Sequence, residues 1–209
     1  MALIEEGAVV VFQGDSITDA GRNRQLPRDL GRGYAMMAAA WFSAAYPERN
    51  VTFYNRGISG NRVKDLEQRW DADCLDLGPT WVSILIGIND CWRRYDSNDP
   101  TSVEAFAAGY RRILERTRER TGARLILLEP FVLPVPEDRK AWREDLDPKI
   151  HAVRELAREF GALYVPLDGL FAAASTRREP AFWAHDGVHP SPAGHALIAR
   201  AWLEAVGAR

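Results

Sequence analysis

The sequence predicts an α/β fold, with a parallel sheet of five short strands covered by helices on both faces. Two observations predict it. Short apolar runs alternate with longer amphipathic ones along the whole chain. The short runs are also apolar throughout rather than at every second position, the mark of strands buried on both faces.

Each element follows in turn. Ala8–Phe12 is apolar and β-branched, a buried strand. Tyr34–Tyr46 is Ala-rich and helical, stopped by Pro47. Val51–Tyr54 is the second strand and Arg62–Asp73 a helix. Trp81–Ile86 is the third strand. Ser102–Arg120 is a helix with Thr101 or Ser102 as its N-cap. Arg124–Leu128 is the fourth strand. Pro148–Phe160 is a helix closed by Gly161. Leu163–Val165 is the fifth strand. Ser191 caps a last helix, with Pro192 at its first position, running to about Val206. The segments Gly21–Gly33 and Ser175–Pro190 are left as polar loops that can border a site.

The 209 residues suit one domain, read as residues 1–209. A net charge of −2 argues against a nucleic-acid or anionic-membrane partner. No segment is long and apolar enough to span a membrane, and Glu5 and Glu6 stand where a secretory signal needs positive charge. The two cysteines, Cys74 and Cys91, are too few for a disulfide framework and lack zinc-ligand spacing. A cytoplasmic protein with no cofactor and no metal is expected.

In open α/β sheets the ligand crevice lies at the carboxyl ends of the strands. Four polar, glycine-bearing segments map there: Gly14-Asp15-Ser16-Ile17-Thr18, Gly57-Ile58-Ser59-Gly60-Asn61, Gly87-Ile88-Asn89-Asp90 and Asp186-Gly187-Val188-His189. Acyl transfer needs a hydroxyl nucleophile, an imidazole base, a carboxylate to hold the imidazole tautomer, and donors for the oxyanion. Ser16 can be the nucleophile, His189 the base and Asp186 its orienter. The three-residue spacing lets both side chains point the same way over one tight turn. The N–H groups of Ser16 and Gly60 and the side-chain amide of Asn89 can hold the oxyanion. Gly-Asp-Ser alone is a common turn, and Asp-x-x-His before proline is often only a capped loop. The conjunction of all four segments carries the argument.

These four segments resemble the blocks of the SGNH, or GDSL-type, hydrolases, and the resemblance covers nearly the whole chain. It implies a three-layer α/β/α sandwich with flavodoxin-like topology and serine esterase chemistry without metal. The signature positions are Ser16, Gly60, Asn89 and His189, with Asp186 completing a triad. Longer stretches, Gly14 to Arg22, Gly57 to Asn61, Gly87 to Arg93 and Val188 to His195, look like the intracellular acetylxylan esterases of that family. The resemblance therefore implies removal of O-acetyl groups from carbohydrates, acetylated xylo-oligosaccharides first, and a homo-oligomer. One position departs: His185 stands where tryptophan is expected before the catalytic aspartate, with Trp183 two positions earlier.

The surroundings leave alternatives. Trp92 can stack on a sugar face or pack under a loop. Asp15, Tyr34, Arg56, Arg93, Trp183 and His185 are further substrate-binding candidates. His185 and His189 stand four apart, but Pro190 argues for a loop rather than a metal-binding helix. His195 reads as structural and His151 as solvated. Trp41 and Trp202 read as core or subunit contact. The same machinery also suits a lysophospholipase or acyl-thioesterase, and the same fold can carry a non-catalytic binding module.

Overall fold

The structure, a computed structural model, describes residues 2–208; the ends of the expected 1–209 domain, Met1 and Arg209, lie outside the described residues. Five strands form one parallel sheet: β1 (Val9–Gly14), β2 (Thr52–Asn55), β3 (Trp81–Leu85), β4 (Arg124–Leu128) and β5 (Leu163–Val165). Their spatial order is β2-β1-β3-β4-β5, the doubly wound arrangement. Register is fixed by two-sided burial. Val10 and Phe12 of β1 face one core with Leu85 of β3 and Ile126 of β4, while Val11, Val82, Ile84 and Leu127 face the other. A slip of one residue would exchange the two sets.

Helices α2 (Tyr34–Ala45) and α9 (Pro192–Ala205) cover the first face. Helices α3 (Val63–Asp73), α5 (Val103–Thr121) and α6 (Arg143–Phe160) cover the second. Trp202 pins α9 to the centre of the sheet: its ring is fully buried, and Nε1 donates to Ser83 Oγ of β3 at 3.0 Å. Ser102 and Ser191 cap α5 and α9, accepting from the N–H groups of Ala105 and Gly194 at 3.2 Å each.

Three departures from the sequence reading have physical causes. Helix α6 begins at Arg143, five residues before the expected Pro148. The proline costs one backbone hydrogen bond near the start of the helix. Ion pairs offset it: Arg143 to Asp147 at 2.6 Å, buried Lys149 to Asp145 at 2.6 Å, and Arg94 to Glu144 at 2.7 Å. Second, the segment after β3, to which the sequence reading assigns no element, is helical. Helix α4 (Ile88–Asp96) starts at once, with Asp90 in its first turn receiving the Val63 N–H at 3.1 Å. Third, short helices α1 (Ser16–Asp19) and α7 (Leu167–Ser175) form where the sequence reading assigns no element, and α8 (Pro180–Trp183) interrupts the expected loop Ser175–Pro190. They are too short to show periodicity in sequence.

Candidate active site

The site forms where the strand order reverses, beyond the carboxyl ends of β1 and β3, which pair through Gly14 and Leu85. Gly14 lets the chain turn there. A Cβ at that position would collide with Thr18 Oγ1 and the Leu85 carbonyl. Asp15 then caps α1, its Oδ1 accepting the Ile17 N–H at 2.9 Å. The cap holds Ser16 at the first position of a one-turn helix, half-buried and facing out of the sheet edge. Below it, Thr18 Oγ1 and Tyr34 Oη lie 3.0 Å apart in the core.

The loop before α9 brings the histidine. Asp186 Oδ1 accepts the N–H groups of Val188 and His189 at 3.0 and 2.7 Å, and Oδ2 lies 2.7 Å from His189 Nδ1. Gly187 makes the tight turn at φ +79°, a conformation costly for other residues, with the carbonyls of Leu133 and Val135 packed against it. The other ring nitrogen, Nε2, lies 2.9 Å from Ser16 Oγ. Serine, histidine and aspartate thus form one hydrogen-bonded chain across 173 residues of sequence separation.

Electrostatics supports proton transfer along this chain. The hydrogen bond that the His189 ring donates to Asp186 raises His189 above its usual value, against partial burial. Burial pulls Asp186 upward, but the bonds it accepts from the His189 ring and from two backbone N–H groups outweigh that and hold it well below the carboxylate range. Asp15 behaves in the opposite way. Burial pushes it up to about 7, and its Oδ2 has no hydrogen-bond partner.

Free donors stand at Ser16 itself and around the loop after β2, whose Ile58 N–H meets the Gly14 carbonyl at 3.0 Å. Gly60 adopts φ +83°, and among the described residues neither its N–H nor that of Ser16 has a protein acceptor. Asn89, buried in the first turn of α4, spends one amide hydrogen on the Asn61 carbonyl at 3.1 Å and keeps one. Such an arrangement can bind a developing oxyanion.

The structure brings together Ser16, His189 and Asp186, and sets Trp92 beside them, its ring centroid 6.0 Å from that of His189; Asn89 is tied to the loop that holds Gly60 through the Asn61 carbonyl. Asp15 is fully buried beneath them and cannot line a substrate pocket. The other substrate-binding candidates do not converge. Tyr34 is buried, its hydroxyl turned to Thr18, so it braces the turn from within. Arg56 is occupied by the Pro27 carbonyl at 3.1 Å and by the Tyr54 ring. Arg93 is paired with Asp96. Trp183 turns toward α7 and α9, where it lines a groove with Leu170 and Ala193. His185 is exposed. His195 is half-buried in α9 and makes a structural bond: its Nδ1 accepts the Tyr34 N–H at 3.2 Å, and burial pushes it down to about 4.

Two supporting residues escape the sequence reading. Arg69 gathers the loops from below, donating to Gln13 Oε1, the Arg56 carbonyl and Asn61 Oδ1 at 2.8–3.0 Å. Asp19 accepts from Ser59 N–H and Arg24 at 3.2 and 2.6 Å. Both look like ordinary helix-surface charges in sequence, because every partner that gives them a role is distant in the chain or set by the fold.

Comparison with known proteins agrees with this geometry. The family model of the GDSL-like lipase/acylhydrolase family matches residues 12–197. The acetylxylan esterase of Geobacillus stearothermophilus is 37% identical over 212 residues, covering 98% of this chain and 96% of the relative. The crystal structure of that enzyme, Axe2, superposes with a TM-score of 0.91 at 37% identity, over 98% of this chain and 96% of the other. LAE5, an alpha/beta hydrolase enzyme from the metagenome of Lake Arreo, Spain, gives a TM-score of 0.92 at 34% identity, over 100% and 99% of the two chains. Solved catalytic mutants of Axe2 replace a serine, a histidine or an aspartate by alanine.

Proposed function

The chain belongs to the GDSL-like lipase/acylhydrolase family, and on that premise we propose that it is a serine esterase removing O-acetyl groups from carbohydrates, acetylated xylo-oligosaccharides foremost. The observation that carries this reading is the continuous chain from Ser16 Oγ through the His189 ring to Asp186, at 2.9 and 2.7 Å.

Ser16 Oγ attacks the acetyl carbonyl while His189 Nε2 takes its proton. Asp186 stabilises the imidazolium and keeps the hydrogen on Nδ1, so that Nε2 is free to accept. The carbonyl oxygen gains negative charge and is held by the N–H groups of Ser16 and Gly60 and the Asn89 amide. Each such donor is worth about 3–4 kcal/mol of barrier. His189 then protonates the departing sugar alkoxide, leaving Ser16 acetylated. A water molecule, deprotonated by His189, attacks that ester; acetate leaves and Ser16 recovers its proton. Trp92 offers an indole beside His189 against which a sugar ring can stack.

Release of acetate from acetylated xylo-oligosaccharides tests the reading. The wild-type protein should release it, and Ser16→Ala should lower kcat on the order of 10⁶-fold with folding retained. Full activity in Ser16→Ala, or peak rates on long-chain acyl esters, would overturn it.

The same proposal covers assembly and location. We read residues 1–209 as a single domain. We expect a homo-oligomer, joined through the apolar groove between α2 and α9, where Trp41 is 69% exposed beside Met37 and Leu203. Arg200 and Glu204 lie on the same groove, so two antiparallel copies of α9 would set opposite charges against each other. No helix among the described residues is long and apolar enough to cross a membrane. Cys74 and Cys91 are free thiols, in keeping with the cytoplasmic placement we propose.

A further inference from the structure

Behind the Asp186–His189 loop lies a cavity of about 370 Å³ that the mechanism above does not use. Its wall includes Arg139, Lys140 and Arg143, with Asp168 as the single carboxylate. Asp168 is consumed by Arg143, which grips both its oxygens at 2.5 and 2.9 Å. Lys140 pairs at 2.8 Å with Glu137, on the open surface.

Arg139 is different. It is only 9% exposed, and its Nε and Nη1 have no hydrogen-bond partner. No carboxylate among the described residues pairs with it. Its guanidinium rests instead against two adjoining indoles, 4.6 Å from the ring centroid of Trp92 and 4.3 Å from that of Trp142. Aromatic faces offset part of the cost of burying a cation, but they leave its in-plane N–H groups unsatisfied. A second buried polar atom without a partner, Ser175 Oγ, belongs to another wall of the same cavity. Among the described residues, the one unpaired cation of the lining calls for an anion, and the orphaned hydroxyl can donate to it.

The cavity also adjoins the chemistry. Trp92 stands between Arg139 and the His189 ring, touching both sides of the boundary. The backbone at Gly187, between Asp186 and His189, packs on the Arg139 side chain, whose Cδ would lie 3.2 Å from a Cβ at that position.

We propose that this cavity is an anion subsite, and that it receives the carboxylate of an acidic sugar unit carried by the acetylated substrate. The proposal rests on the sugar-ester reading above. A planar guanidinium suits a carboxylate, which can accept two N–H groups in one plane. The adjoining indoles of Trp92 and Trp142 support Arg139 from one side, and Ser175 Oγ supplies a further donor.

Two measurements test it. The first is titration of the Ser16→Ala protein with sodium D-glucuronate, followed by calorimetry, with D-glucose as the uncharged control. Saturable binding of glucuronate alone is expected, weakened about tenfold or more by Arg139→Met and less by Arg139→Lys, the loss typical of one charge-assisted contact. Ser175→Ala should also weaken it, which keeps the test open if Arg139→Met is poorly folded. The second compares kcat/KM on acetylated xylo-oligosaccharides with and without a uronic acid unit. The wild-type ratio should favour the acidic substrate and fall about tenfold in Arg139→Met. No glucuronate binding, or binding as strong in Arg139→Met and Ser175→Ala as in the parent protein, would overturn the proposal. Failure of the sugar-ester reading looks different: neither oligosaccharide would yield acetate, while the titration would still report on the cavity.

Discussion

A histidine can take a proton from Ser16 only while its Nε2 is unprotonated, and this sets the pH response of the site. Hydrogen bonding to Asp186 raises His189 above its ordinary value of 6.5, so activity should fall as pH drops through that raised value. Asp186→Asn removes the upward pull and should move the acid limb of the kcat/KM profile to lower pH. It should also lower kcat on the order of 10⁴-fold, because the tautomer is no longer enforced. A pH–rate profile on an acetyl ester checks both effects. Asp15 affects stability with the opposite dependence to an ion-paired carboxylate. Its folded value, about 7, lies above the ordinary 3.8, so the folded state holds the proton more tightly. That contribution is complete below about 3.8 and is lost as pH rises through about 7. Buried Asp90, also pushed up to about 7 by burial, adds to the same trend. Asp15→Asn keeps an acceptor for the Ile17 N–H and removes the charge. Its stability relative to wild type should therefore rise between acid and alkaline pH, as read by urea denaturation across that range.

At the scale of elements, the site depends on how helices begin. Ser16, Asn89 and His189 stand at or just before the first turns of α1, α4 and α9. These are places where N–H groups lack intrahelical partners and capping side chains fix the entry of the chain. Ser191 does this for α9 twice over, accepting from Gly194 N–H at 3.2 Å and donating to the Phe182 carbonyl at 2.7 Å. Ser191→Ala should cost about 1 kcal/mol in urea denaturation. It should also lower kcat, because the hydroxyl ties down the segment that carries His189. The caps at Ser102 and Ser191 were legible in sequence, since Ser before a long apolar-periodic stretch is a local signal. Helix α4 was not legible as a helix. Its start depends on Asp90 meeting the Val63 N–H of a helix 27 residues earlier, and no local pattern carries that. Pro148 misled in the same way, since the ion pairs that carry α6 past it include one from α4.

The whole molecule adds what no single element holds. A sheet in the order β2-β1-β3-β4-β5 brings the turn after β1 beside the one after β3, and opens the crevice between them. The outer face of α2 and α9 remains apolar, with Trp41 at its centre. If that groove joins two copies, Trp41→Glu should shift the protein to monomer by size-exclusion chromatography with light scattering. An unchanged oligomer would exclude this face as the contact.

By itself the sequence determined the architecture and the chemical core. Two-sided burial writes continuous apolar strands, and the demands of acyl transfer leave few assignments for Gly14-Asp15-Ser16, Gly60, Asn89 and Asp186-x-x-His189. Only the tertiary structure decided which neighbours reach that core. It set Trp92 beside His189, turned Tyr34 and Trp183 away from it, engaged Arg56 and Arg93 with other groups, and disclosed Arg139 against two adjoining indoles. The physical reason is range. Strand burial, turn geometry and caps are fixed by residues close in sequence. The direction of a long side chain is fixed by partners that only the packed sheet and helices bring within reach.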